Sequence, residues 1–351
     1  MTIWTILLAL LILSLLVVVH ELGHYLVGRW LGFTIVEYSV GMGPKLLHRK
    51  SKKTGITYSL RALPIGGMCQ FFGEDEDAYD PRCFNNHAWW KRALVIVAGP
   101  FMNFLIALLL AIIMQTAYGY SLGEQVTPYI SAVTEGSAAA EAGLEEGDVF
   151  VAINGVEIVD GETLSDAMGI YVDRADVTVE RGGETLSFEL TGIYSEEEGR
   201  NIMGISYLQN ELEKYSFGQA LIEAPKYCIE MVALVYESFG MLITGQVGLD
   251  EMAGPAGVIM VISQYVPQGL EIILALTVMI SVNLGVVNLF PFPALDGGRL
   301  IFILIEGIFK KRVPPKVEGI IHAVGMALLL LLILLLTIND VGNCFGGLYG
   351  G

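Results

Sequence analysis

Residues 3–19 contain no ionisable side chain, and the next two are a histidine and a glutamate. A helix needs about 20 mostly apolar residues to cross the hydrocarbon of a bilayer. Extended to about residue 26, this run is the first of four; the others cover about 93–117, 270–289 and about 320–337. With 54% hydrophobic and only 16% charged residues, the chain is too apolar to coat a soluble globule. It reads as a mainly α-helical polytopic membrane protein with about four transmembrane helices. The first run lacks a basic leader region and an Ala-x-Ala cleavage site, so it is expected to be retained rather than removed as a signal peptide. An even number of spans places both termini on one side.

Lys and Arg in short loops set the orientation. Ten of the twenty lie in 28–92 and five more in 299–316, which marks those segments as cytoplasmic. Residues 119–267 hold the other five but 25 of the 37 acidic residues, so the net charge of -17 is concentrated there. That segment is expected outside the cytoplasm, where its field repels polyanions and excludes nucleic acid as a partner. The expected location is the cell (inner or plasma) membrane, multi-pass. Cys69, Cys83, Cys228 and Cys344 show no C-x-x-C spacing and are divided between the two sides, so neither a disulfide nor a thiolate metal site is inferred.

Four regions follow. Residues 1–118 hold the first pair of spans, and between them 55–72 read GITYSLRALPIGGMCQFF. This is a strand-rich hairpin with a Gly66-Gly67 turn after Pro64, too apolar for a solvated loop. Non-helical backbone is tolerated at membrane depth only where protein or a wet cavity covers it, so the hairpin is expected to re-enter and pack near the helices; an ordinary cytoplasmic hairpin is the alternative. Residues 119–195 have the texture of a small α+β domain, with strands at 149–153 and 177–180 and turns at Asn154-Gly155 and Gly182-Gly183. On Ala142-Gly143-Leu144, Gly147-Asp148-Val149, Ile153-Asn154-Gly155 and a short helix around 164–168 it resembles a PDZ domain of bacterial envelope proteases. Such domains add a peptide as an edge strand and hold its terminal carboxylate, so a peptide C-terminus is an expected partner; a domain that only screens by bulk is the alternative. Residues 196–267 are an amphipathic, interfacial segment, with 215–247 on the outer membrane surface. Gly254-Pro255-Ala256-Gly257 breaks it before an apolar stretch, 258–266, too short to span alone. Residues 268–351 hold the second pair of spans.

The chemistry begins at His20-Glu21-Leu22-Gly23-His24. Residues four apart on a helix share a face, so both imidazoles can reach one metal with Glu21 beside them. Ionisable groups at membrane depth cost about 2.5–3.5 kcal/mol each, so they need partners. Catalytic zinc usually takes three protein ligands and keeps a fourth position open. Asp296, in the Asn288 to Gly298 stretch NLFPFPALDGG, is the candidate third ligand. Both the histidines and Asp296 end spans that run in the same direction. The prolines stop the helix, and Gly297-Gly298 permits a turn that aims the carboxylate inward. Asn288 and Asn283 are candidates for binding substrate backbone or a developing oxyanion; Asn103 is read as interhelical bonding. His322, four residues after Glu318, is read as interfacial with it.

H-E-L-G-H and N-x-x-P-x-P-x-L-D-G-G together resemble the site-2 family of intramembrane zinc metalloproteases. Gly41-Met42-Gly43-Pro44, Leu63-Pro64-Ile65-Gly66-Gly67, Phe84-Asn85-Asn86 before Trp90-Lys91-Arg92, Ala98-Gly99-Pro100 with Asn103, and Gly254-Pro255 add to the resemblance. Four spans around a PDZ domain are similar to the bacterial branch that degrades anti-sigma factors, although this chain has one PDZ unit where some members have two. The resemblance implies one zinc per chain held by His20, His24 and Asp296, Glu21 as general base, and the hairpin at Leu63, Gly66 and Gly67 receiving an unwound substrate. The expected substrates are transmembrane segments of single-pass proteins in the lipid bilayer, cut toward the cytoplasmic side. Two other classes compete: a non-proteolytic PDZ scaffold with a structural metal, which needs no Glu21, and a zinc transporter, which needs further ligands along the outer halves of the spans.

Overall fold

The computed structural model describes residues 2–74, 80–119, 128–134, 136–159, 163–164, 167, 174–191, 193–195, 200–202, 204–208, 214–246, 248, 253–266 and 269–349. These form two compact units, 1–116 with 216–351, and 117–215.

The first unit opens with helix α1 (Ile3–Trp30), capped by the Thr2 side chain on the Thr5 amide. Strands β1 (Ile35–Lys50) and β2 (Thr57–Phe71) follow, then helix α2 (Trp89–Ala117). The strand-rich stretch at 55–72 is therefore not a hairpin closed on itself. It supplies one strand, β2, whose partner is β1, a segment of Gly, Pro and scattered polar residues with no clean alternation. The pairing is antiparallel with repeated register shifts, and residues 37–40 face both 57–60 and 67–70. The turn of the fold is pinned by Glu37, which is buried and accepts from Lys45 Nζ (2.6 Å), Ser59 Oγ (2.5 Å) and an Arg61 Nη (2.9 Å). Tyr38 fastens the pair to α1 by donating to the Val18 carbonyl at 3.0 Å.

The second unit has strands β3 (Tyr129–Val133), β4 (Val149–Ile153), β5 (Val156–Glu157), β6 (Arg174–Arg181), β7 (Glu184–Thr191), β8 (Ile193–Ser195), β9 (Arg200–Ile202) and β10 (Ile205–Leu208), with a short helix α3 (Ala138–Ala142) after β3. The main sheet runs β10-β3-β4-β6-β7, with β5 pairing β4. Asn154-Gly155 and Gly182-Gly183 all have positive φ, as tight hairpin turns require. Ile130, Phe150, Ile153, Val177, Val179 and Leu190 alternate inward to form its core. The helix expected at 164–168 lies largely outside the described residues.

The chain returns to the first unit with α4 (Phe217–Thr244), α5 (Pro255–Tyr265), α6 (Leu270–Leu289), α7 (Asp296–Phe309) and α8 (Pro315–Tyr349). Residues 255–265 do not join the third apolar run; they form a separate helix whose N-terminus is capped from α8, where Asp340 accepts from the Gly254 and Gly257 amides at 3.1 and 2.8 Å. Among the described residues five helices are long and apolar enough to cross a membrane: α1, α2, α4, α6 and the 317–340 part of α8. The four expected runs account for all but α4, whose glutamates and lysine make it the least apolar of the five.

In the second unit the strand β4 starts beside a buried carboxylate, Asp148, which accepts from Arg181 (2.6 and 2.7 Å) and the Glu145 amide (2.9 Å). Burial raises its pKa, but the Arg181 and Glu145 hydrogen bonds outweigh burial and hold it below the ordinary carboxylate value. A lowered carboxyl pKa stabilises the fold above the unfolded value of about 3.9, and the contribution is lost as pH falls below it. In the full-length protein, hydrogen-exchange protection of the Phe150 and Val179 amides, corrected for intrinsic rates, should fall from about pH 4 downward. Asp148→Asn should lower protection at neutral pH and lessen that fall; an unchanged profile would show that the pair contributes nothing to the unit.

Candidate metal centre

His20 and His24 lie one turn apart on α1, and both are almost fully buried, at 8% and 6% exposure. Asp296 is the first residue of α7, where the unpaired amides of the helix N-terminus favour a carboxylate. His20 Nε2 and His24 Nε2 are 3.2 Å apart, and Asp296 Oδ2 lies 3.1 and 3.4 Å from them. Among the described residues these three form a group able to hold a metal ion. A tetrahedral zinc ion with bonds of about 2.0–2.1 Å has ligand atoms about 3.3–3.4 Å apart, so the donor set and its spacing fit zinc.

The far sides of both rings point to the same conclusion. His24 Nδ1 donates to the Val95 carbonyl of α2 at 2.8 Å, which leaves Nε2 with a bare lone pair. His20 Nδ1 meets the Asn103 carboxamide of α2 at 3.2 Å. That carboxamide can turn over without changing shape; with its oxygen toward His20 it accepts the Nδ1 hydrogen, satisfies an otherwise unpartnered buried oxygen, and leaves this Nε2 bare as well. Asn103 is fully buried, and its carbonyl accepts from Ser281 Oγ of α6 at 2.8 Å. The bond to Ser281 is made by the backbone carbonyl of Asn103, and its side chain meets His20 of α1. Val95 acts through its backbone, which no side-chain pattern reveals.

Helix α2 comes this close because Gly99 faces the rings. A Cβ there would lie 2.8 Å from His20 Nε2 and closer still to His24 Nε2. Glu21 is supported from the other side, by β2. A Cβ on Gly67 would be 2.8 Å from Glu21 Cγ. Gly66 has φ +87° and packs on Met42, while Leu63 is 57% exposed, so the outer part of the strand pair remains accessible.

The turn before Asp296 differs from the sequence expectation. Gly297 and Gly298 are not its left-handed residues; they sit in the first turn of α7 against the carbonyls of Leu289, Phe290 and Phe292, where a Cβ has no room. The positive φ, +80°, belongs to Ala294. Asn288 is half-buried in the last turn of α6, on the same side as buried Ser281 and Gly285, whereas Asn283 is exposed. Five residues apart, the two leave the helix about 140° from each other, so they cannot face one site together. Beyond Asp296, Arg299 pairs with Glu74 at the end of the β-pair, and Arg92 of α2 pairs with Glu306 of α7 at 2.5 Å, around a cavity of about 300 Å³.

Apolar helices of spanning length around two histidines, an aspartate and a glutamate define a multi-pass membrane protein with a metallohydrolase centre. The chain belongs to peptidase family M50, whose family model matches residues 8–332, and thus to the site-2 metalloproteases. A protein of Agrobacterium fabrum named as a zinc metalloprotease is 33% identical over 364 residues, covering 96% of this chain and 95% of that one. One from Clostridium acetobutylicum, named likewise, is 33% identical over 346 residues, covering 97% and 98%. The zinc metalloprotease RasP of Shouchella clausii is 29% identical over 418 residues, covering 95% and 98%. A solved PDZ domain of an SdrC-like protein from Listeria monocytogenes is similar over 25% of this chain and 94% of its own, with 16% identity and a TM-score of 0.22.

Gly99→Ala should push both imidazoles aside and lower zinc retained after dialysis roughly tenfold or more, a loss typical of disturbed ligand support. Gly67→Ala should leave zinc in place. Metal analysis of the two purified variants checks this, and full zinc retention in Gly99→Ala would overturn the packing of α2 on the rings.

Proposed function

We propose that this chain is a zinc-dependent intramembrane endopeptidase that cuts transmembrane segments of single-pass membrane proteins. The observation that carries the reading is the convergence of His20, His24 and Asp296, with Glu21 alongside, on helices apolar enough to span a bilayer. One zinc per chain is held by these three side chains, with the site toward the cytoplasmic side, where loops 28–92 and 299–316 carry most of the Lys and Arg.

Zinc bound there would acidify a water molecule and polarise the scissile carbonyl. Glu21 takes the proton of the attacking water and returns it to the leaving amine, a role that typically contributes about 10²–10⁴-fold. Its side chain lies against Gly67 of β2, so its position follows the strand. Asn288, on the buried side of α6, donates to the developing oxyanion; one such donor is worth about 2.7–4 kcal/mol. Asn283, on the opposite side, is better placed to meet the substrate segment itself.

A spanning helix keeps its carbonyls in its own hydrogen bonds, so it must unwind before it can be cut. The β1–β2 pair, re-entering the membrane region, receives the unwound segment as an added strand at Leu63, Gly66 and Gly67, which replaces the lost bonds. The acidic 119–195 domain acts as a PDZ-like module outside the cytoplasm, binding a peptide C-terminus or screening bulky substrates. The substrates are proteins already shortened outside the cytoplasm, such as anti-sigma factors or signal-peptide remnants.

Co-expression with a single-pass substrate whose extracytoplasmic part is truncated tests the reading. Cutting within the span should occur with the wild type and fall at least about 10²-fold in Glu21→Gln, with zinc retained. Intact substrates with both forms, at equal zinc, would favour the PDZ scaffold with a structural metal. Gly or Pro placed in the middle of the substrate span should speed cutting relative to Leu, because each weakens the helix by about 1–3 kcal/mol; a rate indifferent to these changes would remove the unwinding step.

A further inference from the structure

His322 has no place among the metal-ligating side chains, yet it is built into the support of one of them. It lies on α8 with its side chain 17% exposed, one turn after Glu318, whose Oε1 is 4.0 Å from its Nε2. The Phe302 ring of α7 meets the imidazole edge-to-face at 5.6 Å between centroids. These neighbours leave Nδ1 facing the turn between α6 and α7, where it accepts the Ala294 amide hydrogen at 2.9 Å.

The turn needs such a partner. It is short, with Phe292 N–H bonded to the Phe290 carbonyl at 2.7 Å and Leu295 N–H to the Phe292 carbonyl at 3.2 Å. Pro291 and Pro293 contribute no amide hydrogens. Ala294 sits at φ +80°, in the left-handed region that an L-residue with a Cβ avoids and glycine does not. Its amide would otherwise be a donor with no partner in a half-buried position. One turn further along α8, Gly325 lets the helix press onto the same place: a Cβ there would be 2.6 Å from the Pro293 carbonyl oxygen. Two residues after Ala294 the chain reaches Asp296.

We propose that His322 is a positioning residue: by accepting the Ala294 amide hydrogen it holds the left-handed turn that aims Asp296 at His20 and His24. This rests on the reading of Asp296 as a zinc ligand. It also gives α8 a task in the centre, although among the described residues none of its side chains belongs to the metal-ligating group.

The test is zinc affinity, measured by competition with a chelating dye on the full-length protein in detergent. Asn places an oxygen where His has Nδ1, so His322→Asn should bind zinc within about threefold of the wild type. Gln carries its carbonyl one bond further out, and His322→Gln should bind about 10–100-fold more weakly, the usual cost of losing outer-shell support. Adding Ala294→Gly to His322→Gln should recover part of that affinity, since glycine holds φ +80° without help. Equal affinity in the wild type, His322→Asn and His322→Gln overturns the proposal, as does a weakened His322→Gln that Ala294→Gly leaves unimproved. Asp296→Ala is measured alongside. If it binds zinc as tightly as the wild type, the ligand reading itself fails; if it loses zinc while His322→Gln does not, only the positioning role fails.

Discussion

Two imidazole nitrogens and a carboxylate oxygen lie within 3.4 Å of one another inside an apolar helix bundle, an arrangement that needs a shared metal ion or proton to hold it together. The first unit is organised around imposing it. His20 and His24 come together for the simplest reason, because four residues make one turn of α1. Asp296 is 272 positions further along the chain than His24, and only the packing of α2, α6, α7 and α8 can deliver it. Both imidazoles are locked from α2, by the Val95 carbonyl and the Asn103 side chain. Asn103 in turn is joined to α6 through Ser281, so the helix that leads to the third ligand is braced against the helix that orients the first two.

The parts of this arrangement that depend on side-chain identity at fixed spacing were legible in the sequence. Apolar runs give α1, α2 and α6 to within a few residues and the middle of α8, which extends from Pro315 to Tyr349, and H-E-x-x-H with L-D-G-G gives the three side chains that converge as a candidate metal group. The hairpin turns at Asn154-Gly155 and Gly182-Gly183 follow from residue type alone, because few residues accept positive φ twice in succession. What could not be read is whatever rests on the backbone or on distant pairing. β1 is a strand only because β2 lies beside it; its own Gly-Met-Gly-Pro stretch has no alternation to detect. Val95 contributes a carbonyl, which every residue has. The tight turn expected at Gly297-Gly298 falls at Ala294, which takes the left-handed conformation, and the two glycines are spent on close contact with carbonyls instead. The fifth long helix, α4, mixes charged and apolar positions, so composition alone reads it as interfacial; its Phe239 and Tyr236 rings pack on Phe290 of the ligand-bearing turn, 4.6 and 5.8 Å between centroids.

Each functional group has a different supporting element. The imidazoles rest on α2, the Asp296 turn on α8 and α4, and Glu21 on the strand β2. The separation has a chemical logic. A metal ligand must keep its place through every turnover, and it is held by helices packed along their length. On the proposed reading Glu21 is a general base, which must meet a water molecule only when a substrate carbonyl is beside it, and it lies against a strand whose outer part, around Leu63, is accessible.

On the proposed function, that difference would couple substrate binding to catalysis without any change at the metal. A segment adding itself to the strand pair would bond to the backbone of β1 or β2 and restrict its movement. Gly67 lies in that same strand, so close to Glu21 that a Cβ there would be 2.8 Å from its Cγ. Ordering the strand would then order Glu21, while the candidate ligands, held from α2 and α8, would be unaffected. In an apolar environment where a misplaced carboxylate is costly, a base that was fully aligned only when a strand was added would select unwound segments over the intact helices that surround the site.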